Sequence, residues 1–344
     1  EIIAEPMLLK SYGISLDQLA AEAADLTQRA NAVDADALDP MEQRRRAFLL
    51  AQLKAAETRL RMLRGEKLSF ADEAEGLFGV RPELEPLSTY DPVLARIDAL
   101  LPGSGTLADR VDAFQNRFTI PEDRLKPVFD AAIAECKRRT LQHIALPPGE
   151  TFTMEFVTDK PWSGYNYYKG NATSLIQINT DLPIRISRAV DLGCHEGYPG
   201  HHAYNALLEQ RLARGRGWIE FTLYPLYSPQ SFIAEGSANY GIELAFPGDE
   251  RLEFERRVLY PLAGLAGEHA ADYLALQEAL QDLAGARFTI ARDYLEGRIA
   301  RAQAVALTQR YQLVSAARAA QSRVFVAPAR AAGIDYGRGR ARVA

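Results

Sequence analysis

Cysteine is nearly absent from this sequence, with two residues, Cys136 and Cys194, among 344. Two cysteines cannot build a disulfide framework, so the fold must depend on its hydrophobic core. We expect Cys194 to be a small buried apolar residue, which is the commonest role of a free cysteine. The sequence also lacks an apolar run near the length of about 20 residues that a membrane-spanning helix requires. It therefore predicts a protein without a membrane span.

An excess of positive charge is missing as well. The net charge is −5, and no run of basic residues with interleaved aromatic residues occurs. Proteins that bind nucleic acid through its phosphates carry such basic patches, so this class of partner is excluded. A globular protein with a small substrate is the default interpretation. We expect it in the cytoplasm, although a chain that begins at Glu1 leaves the periplasm and secretion open. The sequence does not indicate an oligomeric state.

Histidine is scarce, and its distribution is uneven. Three of the five histidines lie within residues 195–202, which read His-Glu-Gly-Tyr-Pro-Gly-His-His. Histidines close together, with a glutamate beside the first one, are typical of zinc sites that hydrolyse a substrate. His143 and His269 each stand alone in a helical pattern, and we expect them to be satisfied or surface residues. The cluster therefore predicts a hydrolytic zinc site.

The spacing of the clustered histidines does not fit a regular helix. His201 and His202 follow His195 by six and seven residues, whereas side chains on one helical face are three or four residues apart. Seven residues advance about 10 Å along a helix axis, too far for two nitrogens that bind one metal. Residues 197–200 include two glycines and a proline, which let a helix bulge or restart. We therefore predict a break there and favour His201 as the second ligand, with His202 as an alternative ligand or a supporting residue.

A third ligand is expected, because catalytic zinc commonly keeps three protein ligands and leaves its fourth position to water. Residues 232–244 are apolar at helical spacing and place Glu235 early in a buried helix. A buried carboxylate is costly unless it is paired or binds a metal, so Glu235 is the predicted third ligand. Glu243, two turns later, is a candidate partner for a histidine ring nitrogen.

The apolar pattern as a whole predicts a mostly α-helical protein. Helical periodicity dominates an N-terminal helical region, residues 1–145, and most of a catalytic region, residues 146–344. Residues 151–157 alternate between polar and apolar side chains, and residues 174–179 are a second strand candidate. A turn rich in aromatic rings, residues 165–170, lies between them. We expect a small antiparallel sheet beside the helix that carries the histidine cluster, residues 195–202.

Two helix starts are visible in the sequence. Ser15 with Gln18 has the spacing of a capping box, and it predicts a helix that runs to about residue 32. Asp39 followed by Pro40 has the pattern of a cap and first helical position, and it predicts a longer helix that ends at Gly65. Both signals support the helical interpretation of the N-terminal region.

Two segments carry a family resemblance. HEGYPGHH at residues 195–202 and EGSANYGIEL at residues 235–244 resemble the bacterial family named domain of unknown function 885, which is related to the helical gluzincin metallopeptidases. The resemblance extends from about residue 40 to the end and includes the closing stretch, residues 329–339. It implies the architecture of a helical carboxypeptidase or oligopeptidase, with a deep cleft over the metal.

The resemblance also implies how the site works. His195, His201 and Glu235 would bind one zinc ion per chain, and Glu196 would be the base that takes a proton from the attacking water. Manganese(II) and cobalt(II) accept the same ligands. We expect hydrolysis of peptide bonds in short peptides, of the carboxypeptidase, dipeptidase or oligopeptidase type. The alternative is a catalytically inactive helical metal-binding protein that holds a peptide or small ligand. The presence of Glu196 favours the enzyme.

Hydrolysis also needs a donor for the developing oxyanion and groups that bind the peptide. The resemblance places the C-terminal stretch near the site, so Tyr336 and then Arg330 are the candidate oxyanion donors. Edge strands of the related enzymes pair with the substrate backbone, which is the strand-addition mode of peptide recognition. The alternative is that the strands of this chain only cover its core. The candidate substrate-binding residues are Tyr165, Tyr168, Lys169, Asn179 and Tyr240.

Overall fold

The computed structural model describes residues 13–160, 162–314 and 319. These residues form a mostly helical fold with one small sheet, as predicted. None of their helices combines the length and the apolar composition needed to cross a membrane. The α-helices and strands, in chain order, are α1 Leu16–Ala32, α2 Pro40–Leu63, α3 Phe70–Phe78, α4 Asp91–Leu100, α5 Leu107–Asn116, α6 Leu125–Thr140, β1 Thr151–Val157, β2 Gly164–Gly170, β3 Thr173–Asn179, α7 Ser187–Leu192, α8 His201–Leu208, α9 Pro229–Ala245, α10 Glu250–Phe254, α11 Tyr260–Ala263, α12 Ala270–Asp282, α13 Ala286–Leu295 and α14 Arg301–Gln312.

The first two helices begin where the sequence predicts. The Ser15 side chain accepts a hydrogen bond from the backbone of Gln18, and the Gln18 side chain accepts one from the backbone of Ser15. Asp39 caps α2 in the same reciprocal way, with Pro40 as the first helical residue. Caps of this kind stabilise a helix by about 1 kcal/mol because they satisfy backbone donors that lack a partner. Both predicted caps are therefore confirmed.

The sheet differs from the prediction in two respects. Its strand order is β1-β3-β2, with β2 antiparallel and β1 parallel to β3. The prediction of an antiparallel pair between residues 151–157 and 174–179 was therefore wrong. Residues 165–170, predicted as a turn, form most of β2, and the reversal occurs at Asn171 and Ala172, which both have positive φ. A two-residue hairpin turn favours that sign of φ, and tyrosines favour strands.

The inner face of the sheet packs on the helices that lead to the histidine cluster. Ile176 and Ile178 of β3 are 2% and 1% exposed and belong to the largest apolar cluster. Phe156 of β1 makes an edge contact with Phe129 of α6, with ring centroids 5.6 Å apart. Burial of side chains of this size contributes roughly 1.5–3 kcal/mol each. The sheet is thereby held against α6 and α7.

Apolar side chains form three clusters among the described residues. The largest joins α6, β3, α7 and α12. The second joins α4 and α5 with α12, α13 and α14. The third joins α3 with α9 and α13. Helices from the first 145 residues thus pack on helices that follow the sheet. The predicted division into an N-terminal region, 1–145, and a catalytic region, 146–344, stays a prediction.

Cys136 and Cys194 form a disulfide bond, so the prediction that Cys194 is an unpaired residue was wrong. Both cysteines are fully buried, as expected of an apolar side chain. They are 58 positions apart, and the packing of α6 against the segment after α7 brings their Cα atoms to 5.5 Å. Sequence spacing carries no information on such a contact. The bond ties α6 to the residue directly before His195.

Candidate metal centre

The helix that carries His195 ends before it reaches His201. Helix α7 continues from Leu192 into a π-helical turn, Gly193–Gly197, which contains His195 and Glu196. The chain then leaves the helix, and α8 begins at His201. π-Helical turns occur frequently at functional sites because they re-aim side chains on a helix. The predicted break between the two histidines is therefore confirmed.

Gly200 allows the second helix to begin directly against the first. A Cβ atom on Gly200 would lie 1.8 Å from the carbonyl oxygen of His195 and 2.4 Å from that of Cys194. No side chain tolerates such distances. The backbone N–H of Gly200 instead donates to the carbonyl of Cys194 at 3.0 Å. This close approach folds the chain back, so that the rings of His195 and His201 are 4.7 Å apart.

Glu235 of α9 completes the group. Its Oε2 lies 3.3 Å from His195 Nε2, and its Oε1 lies 3.3 Å from His201 Nε2. One ligand atom from each of the three residues lies within 4.8 Å of the others. Two ligands that bind one tetrahedral zinc at about 2.0–2.1 Å are roughly 3.3–3.4 Å apart. The three residues predicted from the sequence therefore form a triad that could hold a metal ion.

The electrostatics of the triad also fit a cation. Glu235 and His195 are each 9% exposed and His201 is 8% exposed, and Glu235 Oε2 is buried without a hydrogen bond. Burial alone would raise the pKa of Glu235, but the two histidine rings hold it well below its usual range. Burial opposes protonation of His201, while Glu235 and Glu196 raise its pKa. The unsatisfied oxygen and the donor set of two nitrogens and one carboxylate suit zinc, and also manganese or cobalt.

Asn239 supports His195 from behind. Its Oδ1 lies 3.2 Å from His195 Nδ1. A proton on Nδ1 that is donated to Asn239 leaves the lone pair of Nε2 facing Glu235, the usual arrangement for a metal-binding histidine. Glu243, the ring partner predicted from the sequence, lies one turn further along α9 and is exposed. Asn239 was not identified from the sequence, because no local pattern distinguishes it from other polar residues of a helix.

His202 faces away from the triad. The residue is fully buried, its Nδ1 lies 2.8 Å from Ser174 Oγ, and its Nε2 lies 2.9 Å from Glu150 Oε2. Both ring nitrogens thus have protein partners, and neither is placed to share a metal with His195. Of the two predicted roles for His202, the structure favours support of the loop. Glu150 was not identified from the sequence.

Glu196 directly follows His195 in the chain, and its side chain is in contact with β2. It is 5% exposed, and its carbonyl accepts a hydrogen bond of 2.7 Å from Asn166 Nδ2. A Cβ atom on Gly164 would lie 3.1 Å from Glu196 Oε1, so the carboxylate rests against the first residue of β2. Its charge contributes to the raised pKa of His201. Neither of these β2 residues, Gly164 and Asn166, was identified from the sequence.

Two of the predicted substrate-binding residues lie on the other face of β2. The ring of Tyr165 is 4.5 Å from that of Tyr167 and 5.8 Å from that of Trp162. The ammonium group of Lys169 lies 5.2 Å from the centre of the Tyr167 ring. Side chains alternate along a strand, so these residues face away from the side on which Asn166 contacts the metal segment, residues 193–202. They form an aromatic group on the outer face of the sheet.

The other predicted substrate residues are placed differently. The Tyr168 hydroxyl donates to Glu209, which links β2 to the end of α8. The side-chain amide of Asn179 donates a hydrogen bond to the backbone oxygen of Lys160 and accepts one from the backbone N–H of Asp181. Tyr240 is half-buried on α9, next to Asn239. The polar groups of Tyr168 and Asn179 are thus engaged within the chain.

Four candidates remain. Two of them, the predicted oxyanion donors Tyr336 and Arg330, lie outside the described residues. His143 is exposed, and His269 Nδ1 lies 3.2 Å from Asp272 at the start of α12. The expectation that these two histidines are satisfied or surface residues is therefore confirmed.

Comparison with known proteins identifies a similar fold but no activity. No family model matches this chain, and no curated protein matches it. The chain is similar to the crystal structure of a protein from Colwellia psychrerythraea that is provisionally described as a lipoprotein, with a TM-score of 0.54 and 16% identity over 93% of this chain. The match spans 59% of that protein's chain. The similarity shows the fold alone. The resemblance to domain of unknown function 885, the gluzincin architecture and the deep cleft stay predictions.

Proposed function

We propose that this chain is a zinc-dependent hydrolase that cleaves peptide bonds in short peptides. One observation carries the proposal: His195, His201 and Glu235 converge in a buried site, and Glu196 follows His195 in the same π-helical turn. Three protein ligands leave one position open, which is typical of catalytic rather than structural zinc. The resemblance of the two site segments to the gluzincin-related family supports a peptide as the substrate.

The chain's own residues account for the proton transfers. Zinc in this site would polarise the scissile carbonyl and lower the pKa of the attacking water towards about 7. Glu196 takes the proton from that water and returns it to the leaving amine. Asn166 fixes the main chain of Glu196, and the missing side chain at Gly164 leaves space for the carboxylate. Burial of Glu196 strengthens its electrostatic effect on the reacting groups.

The edge of the sheet supports a proposal for how the substrate backbone binds. In the described sheet β2 is an edge strand, and the Asn166 side chain of β2 contacts the segment that carries Glu196. An extended peptide that pairs with the edge of β2 would add a strand to the sheet, with pockets for alternate side chains. This arrangement would bring a peptide bond close to Glu196. We propose this edge as the binding site for short peptides.

The disulfide indicates the cellular compartment of the protein. Disulfides persist in oxidising compartments and are rare in the cytoplasm, where thiols are kept reduced. Cys136 and Cys194 are both fully buried and directly support the metal segment. We therefore favour the periplasm or secretion over the cytoplasmic location expected from the sequence.

The test combines metal analysis with a peptide assay. The wild-type protein, Glu196→Gln and the control Glu243→Gln, an exposed glutamate of α9, are loaded with zinc and incubated with a mixed library of short peptides. We expect chelator-sensitive release of amino acids or short fragments by the wild type and the control. Glu196→Gln should keep zinc and lose roughly 10²–10⁴-fold in kcat.

Two results would overturn parts of this proposal. Zinc binding by the wild type without cleavage of any library peptide would favour the alternative, an inactive metal-binding protein that holds a peptide or small ligand. Full activity in Glu196→Gln would remove Glu196 as the base. The identity of the released fragments would show which end of the peptide is recognised, and hence whether the activity is that of a carboxypeptidase, a dipeptidase or an oligopeptidase.

A further inference from the structure

A second buried carboxylate contacts the metal loop, defined as residues 195–202. The side chain of Glu150, directly before β1, is 7% exposed. Its Oε2 accepts a hydrogen bond from the Tyr198 hydroxyl at 2.5 Å and lies 2.9 Å from His202 Nε2. Tyr198 and His202 stand on either side of His201 in the chain. One carboxylate therefore holds the loop before and after His201.

The partners of Glu150 are themselves fixed. Lys137 of α6 forms an ion pair with Glu150 Oε1 at 2.6 Å, and its ammonium group lies 5.0 Å from the centre of the Tyr198 ring. The second nitrogen of the His202 ring is 2.8 Å from Ser174 Oγ of β3. A buried polar network in which every member has a partner holds its side chains in one arrangement, because any rotation leaves a buried group unsatisfied. The His202 ring cannot turn without losing two such contacts.

Consecutive residues of α6 hold the two ends of the metal loop. Cys136 is bonded to Cys194, the residue before His195. Lys137 reaches the other end of the loop through Glu150. The metal loop is thus anchored on α6 at both ends, covalently at one and through a charged network at the other. Glu235, by contrast, contacts the loop from α9.

We infer that Glu150 is a positioning residue of the metal centre: it fixes Tyr198 and His202, and thereby holds the His201 imidazole where it meets Glu235. The inference rests on the proposed zinc site, since it assigns a role towards that metal. Glu150 itself contacts neither His195 nor Glu235. Residues that orient metal ligands from outside typically change metal affinity about 10–100-fold when they are substituted. Loss of the Glu150 carboxylate should therefore weaken zinc binding while all three ligands remain.

The experiment measures zinc affinity in the full chain. Dissociation constants for Zn²⁺ are determined by competition with a chromophoric chelator for the wild type, Glu150→Gln and Glu209→Gln. Glu209 is a matched control because it also accepts from a tyrosine hydroxyl, that of Tyr168, and pairs with a cation, Arg214, but it lies outside the metal loop. We expect the Kd of Glu150→Gln to rise about 10–100-fold and that of Glu209→Gln to stay within twofold of wild type.

Two further readouts separate positioning from folding. Circular dichroism establishes that each variant is folded at the assay temperature, and the visible absorption of bound Co²⁺ reports ligand geometry, which should change in Glu150→Gln. Tyr198→Phe removes one hydrogen bond to Glu150 without removing its charge, and it should weaken Zn²⁺ binding in the same direction. If Glu150→Gln fails to fold, Tyr198→Phe decides.

The possible failures are distinguishable. Unchanged Zn²⁺ affinity in folded Glu150→Gln, or in Tyr198→Phe where the first variant does not fold, would overturn the role of Glu150 and leave the zinc site intact. A wild-type protein that binds no Zn²⁺ would overturn the proposed zinc site and this inference with it. A rise in Kd of equal size in Glu209→Gln would also overturn the inference, because the effect would then not be specific to the metal loop.

Discussion

At the scale of single residues, the Glu235 side chain connects α9 to the two histidines of the metal site. Its two oxygens each face one histidine at 3.3 Å, and those histidines belong to separate helical segments. The carboxylate therefore bridges His195 and His201 from α9. A substitution that moves α9 should affect the metal site even when all three ligands are present.

The choice between His201 and His202 can be tested directly. His201→Ala deletes a ligand, so we expect that variant to lose stoichiometric zinc. His202→Ala deletes a supporting residue, so it should keep zinc with weaker affinity, by about 10–100-fold. Elemental analysis after dialysis against limiting zinc measures both. The reverse pattern, with zinc kept in His201→Ala and lost in His202→Ala, would make His202 the ligand.

Gly164 is expected to matter for turnover rather than for metal binding. An added methyl group would lie 2.8 Å from Leu192 Cδ2 and 3.1 Å from Glu196 Oε1, so Gly164→Ala should displace the carboxylate of Glu196. A displaced general base costs rate, and we expect kcat to fall at least about tenfold with zinc content unchanged. Gly267→Ala is the control, because a Cβ at Gly267 meets nothing within 4 Å. Equal kcat in both variants would show that Gly164 does not position Glu196.

The residues predicted from the sequence and those that were missed differ in kind. His195, His201 and Glu235 could be predicted because clustered histidines, followed by a glutamate in an apolar helix, are uncommon outside metal sites. Glu150 and Asn239 are ordinary polar residues whose role depends on which elements pack together. No local pattern distinguishes them from surface residues, so they could not be identified before the structure.

At the level of elements, the metal segment departs from regular helix in two steps. A π-helical turn, Gly193–Gly197, widens α7 at His195, and α8 restarts at His201 after a short break. The glycines and the proline of the sequence predicted the break, because those residues interrupt helices. They could not predict the π-helical turn, because its wider winding is not encoded by a local residue pattern.

Gly200→Ala tests this restart. The new Cβ would meet the backbone oxygen of His195 at 1.8 Å, and a backbone atom cannot move aside as a side chain can. We expect the free energy of unfolding, measured with urea, to fall by roughly 3 kcal/mol or more, with loss of stoichiometric zinc. Gly267→Ala should leave both unchanged. A Gly200→Ala variant with wild-type stability and one zinc per chain would contradict the role of Gly200.

The sheet illustrates the limit of local patterns. The sequence pattern predicted the strands at residues 151–157 and 174–179, because one face of each is less exposed to solvent than the other. It did not predict that residues 164–170 form a third strand. This strand, β2, is the antiparallel partner of β3, and β1 pairs with the other edge of β3 in parallel. Strand pairing is decided by long-range packing, which a single sequence does not show.

For the molecule as a whole, the mostly helical fold could be predicted from periodicity alone. The disulfide could not, because its cysteines are 58 residues apart and meet through the packing of α6 on the metal segment. Both cysteines belong to the largest apolar cluster, and the bond fixes the residue directly before the metal loop within that cluster. Stability and metal binding are therefore expected to be coupled across the molecule.

Removal of the disulfide should lower stability. In the chain-entropy description, a crosslink across 58 positions stabilises the folded state by roughly 4 kcal/mol, because it restricts the unfolded chain. We expect the double variant Cys136→Ala/Cys194→Ala to lose free energy of unfolding of that order in a urea titration. A reducing agent should destabilise the wild type in the same way and leave the double variant unchanged. Equal urea midpoints for wild type and double variant would contradict this prediction.

The proposed metal centre is tested by the zinc content of the wild type and of Glu235→Ala, measured by elemental analysis after zinc loading and gel filtration. Glu243→Ala, on the same helix but exposed, is the control. We predict one zinc per chain in the wild type and in Glu243→Ala, and none in Glu235→Ala. A metal-free wild type, or stoichiometric zinc in Glu235→Ala, would contradict the assignment of the triad as the metal centre.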